Sequence, residues 1–201
     1  MNKTLIKNAK IYDGSGEPAF FGDVLIEDER IVQVAASIPP ESEFEVVDLK
    51  GLSLAPGFID AHSQNAWVAL RAEPIKYFAP FIKQGITTFV SGNCGLAATG
   101  FADDTLHKEK IGGGLFSFKD CLEPKGQVKD FLKAVDGNIP GNIAVLAGHC
   151  TARASVSGSV NRKLTEKEEK EMLDILEQAL QQGAAGISLG LMYDPGLYAD
   201  K

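Results

Sequence analysis

The first 55 residues contain short apolar runs that alternate with polar positions, which is the pattern of β-strands. The stretch TLIKNAKIYDG is rich in β-branched residues and ends at an Asp-Gly turn signal. Two apolar runs, Val24 to Ile26 and Ile31 to Val34, flank the charged EDER and predict a hairpin. The stretch FEVVDLKGLSLAPG predicts one or two further strands. We therefore expect residues 1–55 to form a β-rich segment of their own.

From Pro56 onward, short apolar strands alternate with amphipathic helices. The predicted strands are GFIDAHS, ITTFVSGN, NIAVLAGH and AAGISLGLM. The predicted helices are EPIKYFAPFIKQG, QVKDFLKAVDG and LTEKEEKEMLDILEQALQQG. This alternation is typical of an α/β fold, a parallel sheet covered by helices. An α/β barrel needs eight strand–helix units. If residues 56–201 belong to such a barrel, their four units or so make the first half of a (β/α)8 barrel.

The last of these helices has the clearest boundaries in the sequence. Thr165 and Glu168 have the spacing of a capping box, and a glycine follows the final apolar position. Apolar or small residues recur at helical spacing and predict one buried face. That face comprises Met172, Leu176, Ala179, Leu180 and Gly183.

Composition and charge exclude several classes of partner. The net charge is −7 and the isoelectric point is near 5.0, which argues against nucleic acid and anionic membranes. The cysteines, Cys94, Cys121 and Cys150, form no CxxC pair and do not indicate a disulfide framework. No stretch approaches the ~20 apolar residues of a membrane helix, and the start is too polar for a signal peptide. We expect a cytoplasmic protein.

Polar side chains follow each of the four predicted strands. In parallel α/β folds the reactive groups lie at the carboxyl ends of strands, so these positions are candidates for an active site. They are, in strand order, Asp60, His62, Gln64 and Asn65; Asn93 and Cys94; His149, Cys150 and Arg153; Tyr193 and Asp194.

The first two strand ends offer possible metal ligands. His62 and Gln64 are two positions apart and face the same way on a strand, but an amide is a weaker zinc ligand than imidazole. Cys94 lies between Gly92 and Gly95, which permit a tight turn, and its thiolate could bind zinc or act as a nucleophile. Alternatively, His62 is a hydrogen-bonded histidine near a barrel mouth and Cys94 is a buried free cysteine.

The third and fourth strand ends offer groups that could bind a substrate. Arg153 could hold a carboxylate in a bidentate fork, or it could be a loop arginine paired with an acid. Tyr193 could offer its hydroxyl to a ligand, or it could be a half-buried aromatic residue that covers the sheet.

Five stretches together resemble the D-aminoacylase (N-acyl-D-amino-acid deacylase) branch of the amidohydrolase superfamily. They are NAKIYDGSGEPAFFGDVLIEDERIVQV, LAPGFIDAHS, QGITTFVSGNCG, GHCTAR and GAAGISLGLMYDPGLYA, in that family's order. The element APGFID-x-H marks the superfamily. GNCG and G-x-S-x-G-L-x-Y-x-P-G are more specific to the branch.

The resemblance implies zinc-dependent hydrolysis of the amide bond of N-acyl-D-amino acids, giving a carboxylate and a free D-amino acid. It also implies that the N-terminal segment belongs to a β-sandwich and that zinc lies at the barrel mouth. Cys94 matches the family's thiolate ligand, and His62 matches the first histidine of its His-x-His pair. Tyr193 matches a tyrosine near the substrate carboxylate.

The chain departs from the family pattern at several positions. Gln64 and Asn65 stand where the family has its second histidine and usually an aspartate, and Cys150 stands where it usually has glycine. The family's other zinc histidines and its catalytic aspartate come from later strands, so we expect that aspartate beyond Lys201. We expect this chain alone to be inactive and its edge strands to require a missing C-terminal half or self-association.

Two alternatives remain open. Gln64 and Asn65 favour a non-catalytic relic or scaffold, because both remove ligand or charge from the barrel mouth. The second alternative is a dihydroorotase- or hydantoinase-like cyclic amidase. The thiolate position in GNCG counts against it, because such enzymes usually bridge two metals with a modified lysine and no lysine stands at that strand end.

Overall fold

The computed structural model describes residues 2–199. The chain divides into two compact units, one up to Gly57 and the other from Phe58 onward. The sequence pattern predicts this boundary between residues 55 and 56.

The N-terminal unit is built from strands alone within the described residues. They are β1 (Lys3–Ile11), β2 (Phe20–Glu27), β3 (Arg30–Ala35), β4 (Phe44–Asp48) and β5 (Ser53–Leu54). The sheet order is β3-β2-β1-β4, and β5 also pairs with β1. The predicted hairpin is present as β2 and β3, which pair antiparallel. In contrast, β4 and β5 run parallel to β1.

One side of this sheet has a small apolar core of Ala9, Ile11 and Val24. The buried carboxylate of Asp23 lies nearby in the sheet and accepts from Lys7 Nζ at 2.7 Å. Residues 2–57 form a single sheet, and a β-sandwich needs two facing layers. The sandwich therefore stays a prediction.

The second unit contains a parallel sheet of four strands within the described residues. They are β6 (Phe58–Ser63), β7 (Ile86–Ser91), β8 (Asn142–Gly148) and β9 (Gly186–Ser188). The order is β6-β7-β8-β9 and every pairing is parallel. This is the strand order expected for consecutive units of a (β/α)8 barrel. The first and fourth strands, β6 and β9, form the two edges.

Helices α1 to α5 accompany this sheet. They are α1 (Ala66–Ala69), α2 (Ile75–Ile82), α3 (Val128–Val135), α4 (His149–Ser157) and α5 (Glu166–Gln181). Phe78 of α2 packs edge-on against Phe89 of β7, with ring centroids 5.1 Å apart. Both rings are fully buried, as is Phe131 of α3. None of the helices in residues 2–199 is long and apolar enough to cross a membrane.

The structure corrects the sequence analysis in two helices. The loop position considered for Arg153 is wrong, because His149–Ser157 forms α4, whose residues are buried on nearly every side. A helix buried all round lacks the apolar stripe by which helices are recognised in a sequence. In α5, Met172, Leu176 and Ala179 are buried as predicted. Leu180 is 41% exposed, so the predicted buried face was too wide.

Candidate metal centre

His62 and Cys94 meet at the carboxyl ends of β6 and β7. The Nε2 atom of His62 lies 3.4 Å from Sγ of Cys94. Zinc bound at about 2.3 Å from sulfur and about 2.05 Å from nitrogen in a tetrahedral site would separate two such ligands by about 3.5 Å. The two side chains are therefore placed so that they can bind the same ion.

The pair provides only part of a zinc site. His62 is exposed and Cys94 is partly buried. Residues 2–199 contain no cluster of three or more His, Cys, Asp or Glu side chains that could hold a metal. Because zinc in structural and catalytic sites takes at least three protein ligands, the pair fits this metal as half of a tetrahedral set. Thiolate and imidazole are donors that suit zinc.

Gln64 is turned towards the segment that carries Cys94. Its Nε2 atom donates to the carbonyl of Asn93 at 2.9 Å. Since the partner is a carbonyl oxygen, the donating atom must be the amide nitrogen, which fixes the orientation of the amide. The other amide atom, Oε1, is buried without a hydrogen-bond partner. Gln64 therefore binds the backbone next to a metal ligand candidate.

Cys94 itself has an unusual backbone conformation. Its φ and ψ are 59° and 22°, in the left-handed region, and Gly92 and Gly95 on either side also have positive φ. For a residue other than glycine this region costs about 1–2 kcal/mol. Such residues persist where the surrounding structure holds them in place.

The segment after β9 packs directly on this turn. A Cβ atom on Gly190 would lie 1.9 Å from the carbonyl oxygen of Cys94, so a side chain at Gly190 has no room. Cys150 also packs here, with its Sγ 3.0 Å from the carbonyl oxygen of Gly190. Burial raises the pKa of the Cys150 thiol. Cys150 therefore fills space beneath the turn as a neutral packing residue.

Comparison with known protein families identifies the family of this chain. The amidohydrolase family matches residues 45–200, which is most of the chain. The chain belongs to the amidohydrolase family.

Individual amidohydrolases of similar sequence have names that refer to D-amino acids. An N-acyl-D-aspartate deacylase of Alcaligenes xylosoxydans xylosoxydans is 36% identical, over 95% of this chain and 37% of its own length. A D-aminoacylase of the same organism is 33% identical, over 97% of this chain and 39% of its own length. The predicted resemblance to this branch of the amidohydrolases is confirmed. The chain spans about two fifths of the length of these relatives.

Solved amidohydrolase structures of the same branch have the same fold. A D-aminoacylase studied for its binuclear metal centre superposes with a TM-score of 0.80 at 28% identity, covering 98% of this chain and 40% of its own. An N-acyl-D-glutamate deacylase of Bordetella bronchiseptica, complexed with zinc and a phosphonate inhibitor, gives a TM-score of 0.76 at 29% identity and the same coverage.

The two predicted substrate-binding residues of this amidohydrolase lie in different environments. Arg153 is on α4 rather than in a loop and is 3% exposed. Its Nη2 atom donates to the carbonyls of Arg162 at 2.6 Å and Tyr198 at 3.2 Å. This geometry favours an anchoring role, and carboxylate binding by Arg153 stays a prediction. Tyr193 is 38% exposed in the segment after β9, and its role also stays a prediction.

Sequence analysis missed Ser188 of this amidohydrolase. Its hydroxyl accepts from the backbone N–H of Gly95 at 2.9 Å and donates to the carbonyl of Gly92. The available signal was the serine of G-x-S-x-G-L, a motif specific to the family branch in which the sequence alone indicates no role for this residue. His149 had no assigned role either. It is 8% exposed, its Nδ1 has no hydrogen-bond partner, and burial lowers its pKa.

Proposed function

We propose that this amidohydrolase, in a polypeptide that supplies the remaining ligands, hydrolyses the amide bond of N-acyl-D-amino acids with the help of zinc. The products would be a carboxylate and a free D-amino acid. The observation that carries the proposal is the 3.4 Å contact between Cys94 Sγ and His62 Nε2 at adjacent strand ends. The names of the relatives give the substrate class, and the zinc complex of the B. bronchiseptica enzyme supports the metal.

The chain's own residues would act as ligands and as substrate contacts. Cys94, as a thiolate, and His62, through Nε2, would hold the metal. Zinc bound there would polarise the amide carbonyl and activate a water molecule. Tyr193 would direct its hydroxyl to the carboxylate of the substrate. We assign the transfer of the proton to none of the described residues of this chain.

The decisive experiment compares Cys94→Ser with Cys121→Ser in the complete protein. Both substitutions remove one thiol, but Cys121 lies in an isolated β-bridge with Arg71 rather than in the turn that carries Cys94. We expect Cys94→Ser to lose bound zinc and to reduce hydrolysis of N-acetyl-D-amino acids by more than about 100-fold. Cys121→Ser should keep both zinc content and activity. Equal zinc content in the two variants would contradict the proposal.

The substrate panel separates the proposal from the two alternatives. N-acetyl forms of D-aspartate, D-glutamate and D-leucine, with the matching L-compounds, test the proposed class. Hydrolysis of dihydroorotate or hydantoins without release of D-amino acids would favour a cyclic amidase. A folded protein that binds no metal and hydrolyses neither class would favour the relic or scaffold.

A further inference from the structure

One hydroxyl group connects the two residues that flank the Asn93–Cys94 pair. The Ser188 Oγ atom accepts from the N–H of Gly95, which follows Cys94, and donates to the carbonyl of Gly92, which precedes Asn93. A hydroxyl can act as donor and acceptor at once, so both interactions are satisfied by a single side chain. The turn that carries the thiol is thereby closed across its base.

The turn depends on such contacts because its own conformation is unfavourable. Cys94 has a left-handed backbone, and the hydrogen bond from Leu96 N–H to the Asn93 carbonyl, 3.1 Å long, closes the turn locally. A relaxed backbone at Cys94 would rotate the thiol away from its present direction, which is towards His62. Contacts from outside the turn therefore decide where the thiol points.

The position of Ser188 is fixed by the parallel sheet. It lies at the end of β9, in register with Gly148 of β8, and the next residues bring Gly190 against the Cys94 carbonyl. Its hydroxyl therefore reaches past the end of β8 to the turn after β7.

We propose that Ser188 is a positioning residue that holds the Cys94 thiol towards the His62 imidazole. The effect of Ser188 on metal affinity rests on the proposed function, because it requires Cys94 to be a metal ligand. The effect of Ser188 on the conformation of the turn does not rest on the proposed function.

The first test measures the turn in metal-free protein. The alkylation rate of Cys94 by iodoacetamide is followed by peptide mass mapping, which separates it from Cys121 and Cys150. We expect Ser188→Ala and Ser188→Val to change the Cys94 rate about fivefold, the effect of one lost hydrogen bond. Ser188→Thr has the shape of the valine variant but keeps the hydroxyl, and should stay close to wild type.

A matched control is Ser155→Ala. The Ser155 hydroxyl also accepts from a loop N–H, that of Ala102 at 2.9 Å, but it does not contact the Cys94 turn. Cys94 rates that are the same in Ser188→Val, Ser188→Thr and Ser155→Ala would overturn the proposal, whatever their effect on stability.

The second test follows cobalt binding to the complete protein by its thiolate-to-cobalt absorption. The dissociation constant should rise about 10- to 100-fold in Ser188→Val, as is typical for groups that orient a ligand. It should be restored in Ser188→Thr and unchanged in Ser155→Ala. A wild-type protein without thiolate-to-cobalt absorption would contradict the proposed zinc function, and the alkylation rates would still decide the role of Ser188.

Discussion

The interior strands and the edge strands of the parallel sheet place similar residues in opposite environments. Phe89 of β7 and Val145 of β8 are 0% and 1% exposed, whereas Phe58 and Ile59 of β6 are 66% and 64% exposed. The candidate ligands differ in the same way. Cys94 follows the interior strand β7, and its turn is held by residues from the ends of two other strands, whereas His62 lies in the edge strand β6 and is exposed. Position in the sheet, rather than residue type, decides which groups are fixed.

The largest effect is expected from truncating the two phenylalanines. Phe89→Ala should lower the free energy of unfolding by about 3–5 kcal/mol, because the ring packs against Phe78 and Phe81 and leaves a cavity. Phe58→Ala should cost less than about 0.5 kcal/mol, as is usual at exposed positions. Urea denaturation measures both values. Equal losses of stability in the two variants would show that Phe58 is covered in solution. The contrast between interior and edge strands would then not hold.

A smaller effect is expected from placing a histidine directly after the edge strand β6, at the position where the family has its second histidine. Gln64→His gives up the hydrogen bond to Asn93 but adds an imidazole, which is the better zinc ligand. We expect metal affinity to rise about tenfold, which corresponds to about 1.4 kcal/mol. Competition with a chromophoric chelator measures it, and Gln64→Met is the control of similar size without a ligand. A tighter site in Gln64→Met would show that the lost hydrogen bond, not the new ligand, sets the affinity.

Helix α5, which packs against β8 and β9, should make a pH-dependent contribution of about 1 kcal/mol to the free energy of unfolding. At the start of α5, hydrogen bonds from Arg162 and from the backbone of Thr165 lower the pKa of Glu168 to about 2. A lowered folded-state pKa stabilises the protein above the ordinary glutamate pKa of 4.5, and this contribution disappears as the pH falls towards 2. Glu168→Gln should therefore cost about 1 kcal/mol at pH 7.

The measurement for this helix is urea denaturation of wild type and Glu168→Gln between pH 7 and pH 2. The two stabilities should converge as the pH approaches 2. Glu169→Gln, at the next and more exposed position of α5, is the control and should differ little from wild type. A constant difference across this range would mean that the carboxylate charge is not responsible.

The smallest change in stability is expected at the edges, where the effect should instead be on association. Ile59→Lys and Ile187→Lys place a charge on exposed apolar edge strands, which opposes strand-to-strand pairing between copies. Sedimentation velocity should show less self-association, with stability within about 0.5 kcal/mol of wild type. Leu173→Lys, on an exposed position of α5, is the control. If it lowers association equally, the edges are not the contact surface.

The sequence was sufficient for the elements whose pattern is local. Alternating and apolar runs predicted the strands of both units, and the spacing of Thr165 and Glu168 predicted the capping box that the structure contains. Helix α4 was missed because burial on nearly every side removes its periodicity. Reading strand ends put His62 and Cys94 at neighbouring positions.

The supporting contacts of the site could not be predicted because they depend on how distant strands align. Gly95 and Ser188 are 93 residues apart in sequence, and Gln64 and Asn93 are 29 apart. Neither pair shares a spacing motif. The serine and the glutamine are polar residues near strand ends, but only the three-dimensional register shows that both contact the same turn.

The separation of Ser188 from Gly95 has a consequence for biosynthesis. A ribosome must complete 93 further residues after Gly95 before the hydroxyl that closes the thiol-bearing turn exists. Domains fold as units during synthesis once their parts have emerged. We therefore expect the proposed metal to bind late in synthesis, after this turn has closed.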